Sequence, residues 1–247
     1  MTKGLNFVEG YVMDWKPFIG LPLWFWLFVL PTLLTIASWI LKEKARKLLT
    51  PIWRFLNVLY TTSGIIAAFF MVIILLLIVA QMIARWSGLT FHGSTEFAGY
   101  AMAATSFFAL AHALNRGAHI RVSILLNLNN FTKRWVDIFA LFVAAIIATY
   151  FARYAIKANI FSEMLNDRTQ GQDTVPEWLL TLFETLITSP TQWAALWAQT
   201  SSEMVYTPLW LPQIPMSIGT TLLAIALWDN LIRFVVLDKS NIKGEMV

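Results

Sequence analysis

The residues that could do chemistry are few. The chain has three histidines, His92, His112 and His119, and no cysteine. Disulfides, thiolate metal sites and cysteine nucleophiles are therefore excluded. Once the loops are oriented by charge, His92 falls on the opposite side of a bilayer from the other two, so the three cannot form one metal site. No HExxH, P-loop or G-x-S-x-G pattern is present. His112 lies near the end of an apolar stretch. It reads as a neutral histidine hydrogen-bonded between helices, or alternatively as a proton relay or ligand. Asp229 and Arg233 stand four apart on the last apolar stretch. That spacing suits a local ion pair, with a functional charge as the alternative. A membrane enzyme or carrier needs ionisable groups at membrane depth, and the apolar stretches are poor in them. No catalytic residue, metal or cofactor is expected in this chain, and a polar substrate has no evident binding site here.

The elements that hold these residues are membrane elements. Of the 247 residues, 58% are hydrophobic and 13% charged, about half the charged share of an average soluble domain. That composition excludes an ordinary soluble enzyme, a disordered chain and a nucleic-acid binder. A bilayer core near 30 Å needs about 20 apolar residues in a helix. The expected class is an all-α integral membrane protein with four strong transmembrane helices, an extra N-terminal span and interfacial amphipathic helices. The four strong spans are 58–84, 94–115, 135–159 and 209–236. Residues 18–41 form the extra transmembrane or re-entrant helix, where Pro22 and Pro31 invite a break. A signal peptide competes for this stretch, but the basic cluster follows the apolar run and no small-x-small cleavage site is evident.

The loops supply orientation. The segments 42–58, 114–136 and 233–247 carry 12 of the 18 Lys and Arg residues. The segment 160–211 carries six acids against Arg168, a net charge of −5. By the positive-inside rule the basic segments are cytoplasmic and the acidic loop is outside. With five spans, residues 1–17 lie outside and the tail 237–247 lies inside. The remaining pieces are a cytoplasmic interfacial helix at 42–57, interrupted by Pro51, a basic cytoplasmic loop at 116–134 and an acidic outer loop at 160–208 with amphipathic helices. Lys42, Lys44, Arg46, Lys47, Arg54, Arg116 and Arg121 are candidate anchors for phospholipid headgroups.

Two patterns suggest contact surfaces. Ala101, Thr105, Ala109 and Ala113 recur every four residues in the third apolar stretch. Small side chains in such a stripe let helices approach closely in lipid, so the stripe serves either a partner helix or packing within the chain. In the outer loop, Trp178, Leu182 and Phe183 form an apolar helical stripe, and Trp193 and Trp197 follow Pro190. These five residues are a candidate docking surface, with a lipid-bound amphipathic piece as the alternative.

A family resemblance emerges from the order of several motifs. Glu96-Phe97-Ala98-Gly99-Tyr100, then Phe107-Phe108-Ala109-Leu110-Ala111, then Gly117-Ala118-His119-Ile120-Arg121-Val122 resembles the small membrane subunit (Q-type, DctQ-like) of tripartite ATP-independent periplasmic (TRAP) transporters. Leu211-Pro212-Gln213-Ile214-Pro215-Met216-Ser217-Ile218-Gly219 is similar to the start of that family's last span. The resemblance covers residues 55–160 and 208–237, with Glu96, Gly99, Tyr100, Gly117, His119, Arg121, Pro212, Pro215 and Gly219 as motif positions. It implies a subunit of the bacterial inner membrane that works with a large M-type membrane subunit and a periplasmic P-type binding protein. The large subunit would carry the substrate and Na⁺ sites and move as an elevator, and the binding protein would deliver an organic acid. The small subunit would act as scaffold and docking aid. The chain departs from the pattern in three ways. Ser123 stands where an acid is common, so no role attaches to it. The segment 18–41 is extra. The 160–211 loop is long, and its 176–199 piece has no recognised family counterpart. Two other classes compete with this one, a membrane-embedded redox or enzyme subunit and a stand-alone transporter or channel.

Overall fold

A computed structural model describes residues 15, 17–116 and 130–237. The chain is an all-α membrane protein with two small antiparallel strand pairs among the described residues. Among the described residues, four helices are long and apolar enough to cross a bilayer. In chain order the elements are β1 (Pro17–Phe18), β2 (Leu21–Pro22), a π-helical turn (Phe25–Val29), α1 (Leu30–Ile40), α2 (Lys42–Trp86), α3 (Ser94–Arg116), α4 (Asn130–Met164), β3 (Thr174–Pro176), α5 (Glu177–Ile187), a 3₁₀ turn (Pro190–Gln192), α6 (Trp193–Gln199), β4 (Met204–Tyr206) and α7 (Trp210–Leu237).

Two expectations are corrected. Residues 18–41 are not one helix. Pro17 pairs with Pro22 and Phe18 with Leu21 in a two-residue hairpin, closed by Ile19 and Gly20 at φ 51° and 79°. Positive φ at both central positions suits a right-twisted hairpin, although a β-branched residue there is strained. The helical run that follows, Phe25–Ile40, is about 24 Å long at 1.5 Å per residue and falls short of a 30 Å core. The second correction concerns 42–57 and 58–84, which join in one 45-residue helix, α2, with Pro51 inside it. Proline removes one backbone donor, but the helix continues through it. The residues just before it, Lys42 to Leu49, are strong helix formers, and one missing hydrogen bond does not outweigh the many made along a 45-residue helix.

Helix ends follow local chemistry. α2 stops at Gly88, which takes φ 72° while Leu89 N–H reaches back to the Ala84 carbonyl at 2.9 Å. α4 stops at Asn166, φ 52°, with Asp167 N–H on the Ser162 carbonyl at 3.0 Å. Both are left-handed C-terminal caps, satisfied by Gly and Asn because these residues tolerate that conformation best.

Contacts group the chain into two compact units. The first comprises 1–59, 113–151 and 223–247. In it Trp39 meets Trp135 edge-on at 6.1 Å, and Phe28 lies 4.7 Å from Tyr150, with Trp15 against both rings. Trp228 packs on Phe142 and donates from Nε1 to Thr149 Oγ1 at 3.0 Å. A buried indole N–H needs such a partner in lipid, where no water would serve it.

The second unit comprises 60–112 and 152–222. Its apolar cluster is Ala67, Ala104 and Phe108, with Phe70 stacked on Phe108 at 6.1 Å. Small residues let α2 and α3 approach. A Cβ on Gly64 would lie 2.6 Å from the His112 ring. Ser63 donates to the Phe108 carbonyl, and His112 Nδ1 to the Tyr60 carbonyl at 3.1 Å. Gly219 of α7 meets α3 more tightly still, since a Cβ there would sit 2.4 Å from the Phe107 carbonyl oxygen. Backbone cannot yield as a side chain does, so only glycine fits.

Candidate functional site

The densest polar site lies in the second unit, where the start of α3 meets the acidic loop. Gly93 turns the chain into α3 at φ 73°. A Cβ there would come within 2.8 Å of Asp173 Cα, so loop and turn touch backbone to backbone. Glu96 and Tyr100 follow, four apart and therefore on one face of α3. The Tyr100 hydroxyl donates to Asp173 Oδ2 at 2.6 Å, and Glu96 Oε1 accepts the Gln172 N–H at 3.1 Å. Thr169 Oγ1 lies 2.9 and 2.8 Å from the two Asp173 oxygens. The Thr207 hydroxyl donates to the Asp173 carbonyl at 2.6 Å. Asp173 itself is fully buried. Burial opposes its charge, but the hydrogen bonds from Tyr100 and Thr169 outweigh it and hold the carboxyl below its ordinary range.

This clasp organises everything beyond it. β3 and β4 pair antiparallel, with Val175 opposite Val205. Arg168 Nη1 donates to the Tyr206 carbonyl at 3.1 Å. Glu177 opens α5 and accepts the Ser201 N–H at 2.8 Å and the Ser201 hydroxyl, which together lower its pKa. The Thr181 and Thr200 hydroxyls meet at 2.9 Å. As a result α5 is turned with Leu180, Thr181 and Thr185 buried, while Trp178, Leu182 and Phe183 stay exposed, as do Trp193 and Trp197. The five candidate docking residues thus share an exposed apolar character, with Trp178 at 48%.

A second polar site lies in the first unit. Arg233 binds Asp229 at 2.8 Å, with both side chains almost fully buried. The guanidinium also lies over the Trp53 ring, 5.4 Å from its centroid, and donates to the Trp53 carbonyl at 3.3 Å. The pair is neutral overall and is held by an aromatic face, which suits a low-dielectric setting.

The other expected positions fall as follows. On α3, Ala101 is buried, whereas Thr105, Ala109 and Ala113 are half-buried. The fully buried face of α3 is Ala101, Ala104, Phe108, Ala111 and Leu114. The stripe therefore borders that internal face, next to exposed Met102 and Ser106. Gly99 is exposed, with open space around it. Pro212 and Pro215 lie in the first turns of α7, near Gln213, whose Oε1 is a buried acceptor without a partner among the described residues. Lys44, Arg46, Lys47, Arg54 and Arg116 are exposed, and Lys42 is half-buried. Gly117, His119 and Arg121 lie outside the described residues, as do most of the 116–134 loop and the tail after 237. Among the described residues no group of acids and histidines could hold a metal ion. Asp173 was not foreseen as a site residue. Its only signal was an acid in a polar run, Thr169 to Thr174, and nothing local marks the partner as a tyrosine 73 residues away.

Residues 74–187 match the family model described as tripartite ATP-independent periplasmic transporters, DctQ component. The chain is DctQ-like. The match contains Glu96, Tyr100, Thr169 and Asp173 of the clasp, while Thr207 lies beyond it. It also extends through α5, so the first half of the 176–199 piece falls within the family match while α6 lies beyond it. The other region of expected resemblance, 208–237 with Pro212, Pro215 and Gly219, lies beyond the match. No curated protein and no solved structure matches the chain. Four apolar helices and this match, which covers somewhat under half of the chain, support a multi-pass inner-membrane protein similar to the small component of TRAP-type permeases, a transporter family and not an enzyme family. The DctQ family implies association with a large M-type subunit and a substrate-binding protein.

Proposed function

We propose that this DctQ-like chain is the stationary scaffold of a Na⁺-driven organic-acid transporter and helps dock the periplasmic binding protein. The observation that carries this is the state of its buried charge. Within the described spans Asp229 and Arg233 neutralise each other at 2.8 Å, with Trp53 as their third partner. A carrier subunit would instead aim such groups at a cavity. The apolar outer face of α2, including Ile65, Phe69, Val72 and Leu76, is exposed and suits a large membrane partner or lipid. The docking role rests on the exposed α5 and α6 aromatics, held outward by the clasp.

The orientation follows from charge. The described parts of all three basic segments belong to the first unit, and the 85–96 and 160–211 loops belong to the second. The first set is cytoplasmic and the second periplasmic. Trp15 contacts Tyr150, which stands about 22 Å along α4 from Trp135. In this orientation Trp15 and the hairpin lie toward the outer interface, where the hairpin's backbone groups can meet water.

The test is reconstitution. Liposomes holding this chain alone should take up no organic acid, while liposomes holding it with the copurified large subunit, supplied with the binding protein and a Na⁺ gradient, should. Uptake by the chain alone would sink the scaffold assignment.

A further inference from the structure

The first unit contains a groove of about 460 Å³ between α1, α4 and α7, a volume ordinary for a small-ligand site. Its two ends differ chemically. Lys42 follows the last turn of α1, and Arg134 lies in the first turns of α4. Trp39 and Trp135 meet at 6.1 Å, so these two helix ends come together and bring both cations to one mouth of the groove. Ile36 and Thr32 follow at successive turns along α1, and Ile138 and Phe142 along α4. Leu231 of α7 closes the wall.

The gradation runs from two cations to two indoles to a slot lined mainly by apolar side chains. An amphiphile with a phosphate head has the same order of groups. The two cations of the mouth, Lys42 and Arg134, belong to the basic segments 42–58 and 116–134 of the sequence. Basic pockets between helices on the cytoplasmic side suit anionic headgroups, and tryptophans settle at the level of the headgroup and glycerol. We propose that this groove seats one anionic phospholipid, its phosphate on Lys42 and Arg134, its glycerol region at Trp39 and Trp135, and an acyl chain along Ile36, Ile138 and Phe142. The site uses α1, which lies outside the segment matched to the family, and does not depend on the transport assignment.

Native mass spectrometry of the purified chain tests this, in micelles doped with phosphatidylglycerol or with phosphatidylcholine. The wild-type chain should retain phosphatidylglycerol selectively. The double variant Lys42→Gln with Arg134→Gln should bind it roughly 30-fold more weakly, from about 1 kcal/mol per basic residue. The double variant Lys42→Arg with Arg134→Lys keeps both charges and should retain it, which separates headgroup binding from misfolding. Because the chain has no cysteine, Ile138→Cys gives a unique attachment point in the slot. Its crosslinking to a photoactivatable phosphatidylglycerol supports the site. Equal retention of both lipids, retention of phosphatidylglycerol by the Gln variants, or crosslinking of Ile138→Cys to a second protein chain instead of lipid would each overturn the proposal.

Discussion

Asp229, Arg233 and Trp53 show how much a single pair can decide in a membrane protein. The two charges are nearly fully buried and satisfy each other at 2.8 Å. Removing one leaves the other uncompensated, which typically costs about 3–5 kcal/mol. Asp229→Ala should therefore lower thermal stability sharply in detergent. Asp229→Ala combined with Arg233→Met should recover much of the loss, because an apolar pair of similar bulk needs no counter-charge. A double variant as unstable as the single one would show that the Trp53 contact matters more than the ion pair. Tyr100 and Asp173 make a comparable case outside the lipid-facing surface. Tyr100→Phe removes a hydrogen bond to a buried carboxylate, worth about 1.5–3 kcal/mol, and should hasten proteolysis within 160–208. The carboxyl of Asp173 has its pKa lowered in the fold. Its contribution is thus fully present above the ordinary carboxylate value of about 3.9 and lost as pH falls through the lower folded value. The loop should resist protease unchanged from pH 7 to 5 and loosen only below about pH 4. Tyr100→Phe should move that onset upward.

At the scale of elements, α3 and α5 each present two faces with different duties. The face of α3 built from Ala104, Phe108 and Ala111 is buried within the chain. Ala109 is half-buried at the border of that face and touches the Ala67–Ala104–Phe108 cluster. If the stripe seats a helix of the large subunit, Ala109→Leu should reduce copurification of that subunit several-fold while the isolated chain stays monodisperse. Ala104→Leu should instead damage the chain itself, since overpacking a closed interface is destabilising. Unchanged copurification in Ala109→Leu would assign the stripe to internal packing alone. α5 reverses the usual amphipathic arrangement, with threonines turned inward and Trp178, Leu182 and Phe183 outward. Replacing Trp193 and Trp197 by Ser should leave expression unaltered and lower binding-protein-dependent uptake by about tenfold, as loss of exposed aromatic anchors does at interfaces. Normal uptake would mark α5 and α6 as a lipid-resting surface.

For the whole molecule, topology is the property that charge and length jointly predict. Twelve of 18 basic residues lie in three segments, and the positive-inside rule orients these toward the cytoplasm. Residue 3 offers a direct check: Lys3→Cys, in a chain without other cysteines, should react with an impermeant maleimide added to intact spheroplasts. Protection of that cysteine until the membrane is opened would place the N-terminal segment in the cytoplasm.

The four long spans, the basic and acidic loops and the Asp229–Arg233 spacing were all legible in the sequence. These depend on local quantities: apolar run length against bilayer thickness, charge per loop, and residues four apart on one helix. The DctQ resemblance was legible for the same reason, since each of its motifs is a short contiguous run. Other features required the folded chain. The hairpin at 17–22 and the continuous helix through Pro51 depend on how neighbouring turns compete, and periodicity alone does not resolve that competition. Tyr100 reaching Asp173, Gly219 against Phe107 and the groove between α1, α4 and α7 join residues far apart in sequence. A hydrogen bond or close backbone approach between such residues exists only once packing has brought them together. Sequence therefore determined which four long segments are apolar enough to enter the membrane and gave the charge pattern from which their orientation is predicted. Tertiary structure decided which polar groups are consumed internally, and so which surfaces remain for partners and lipid.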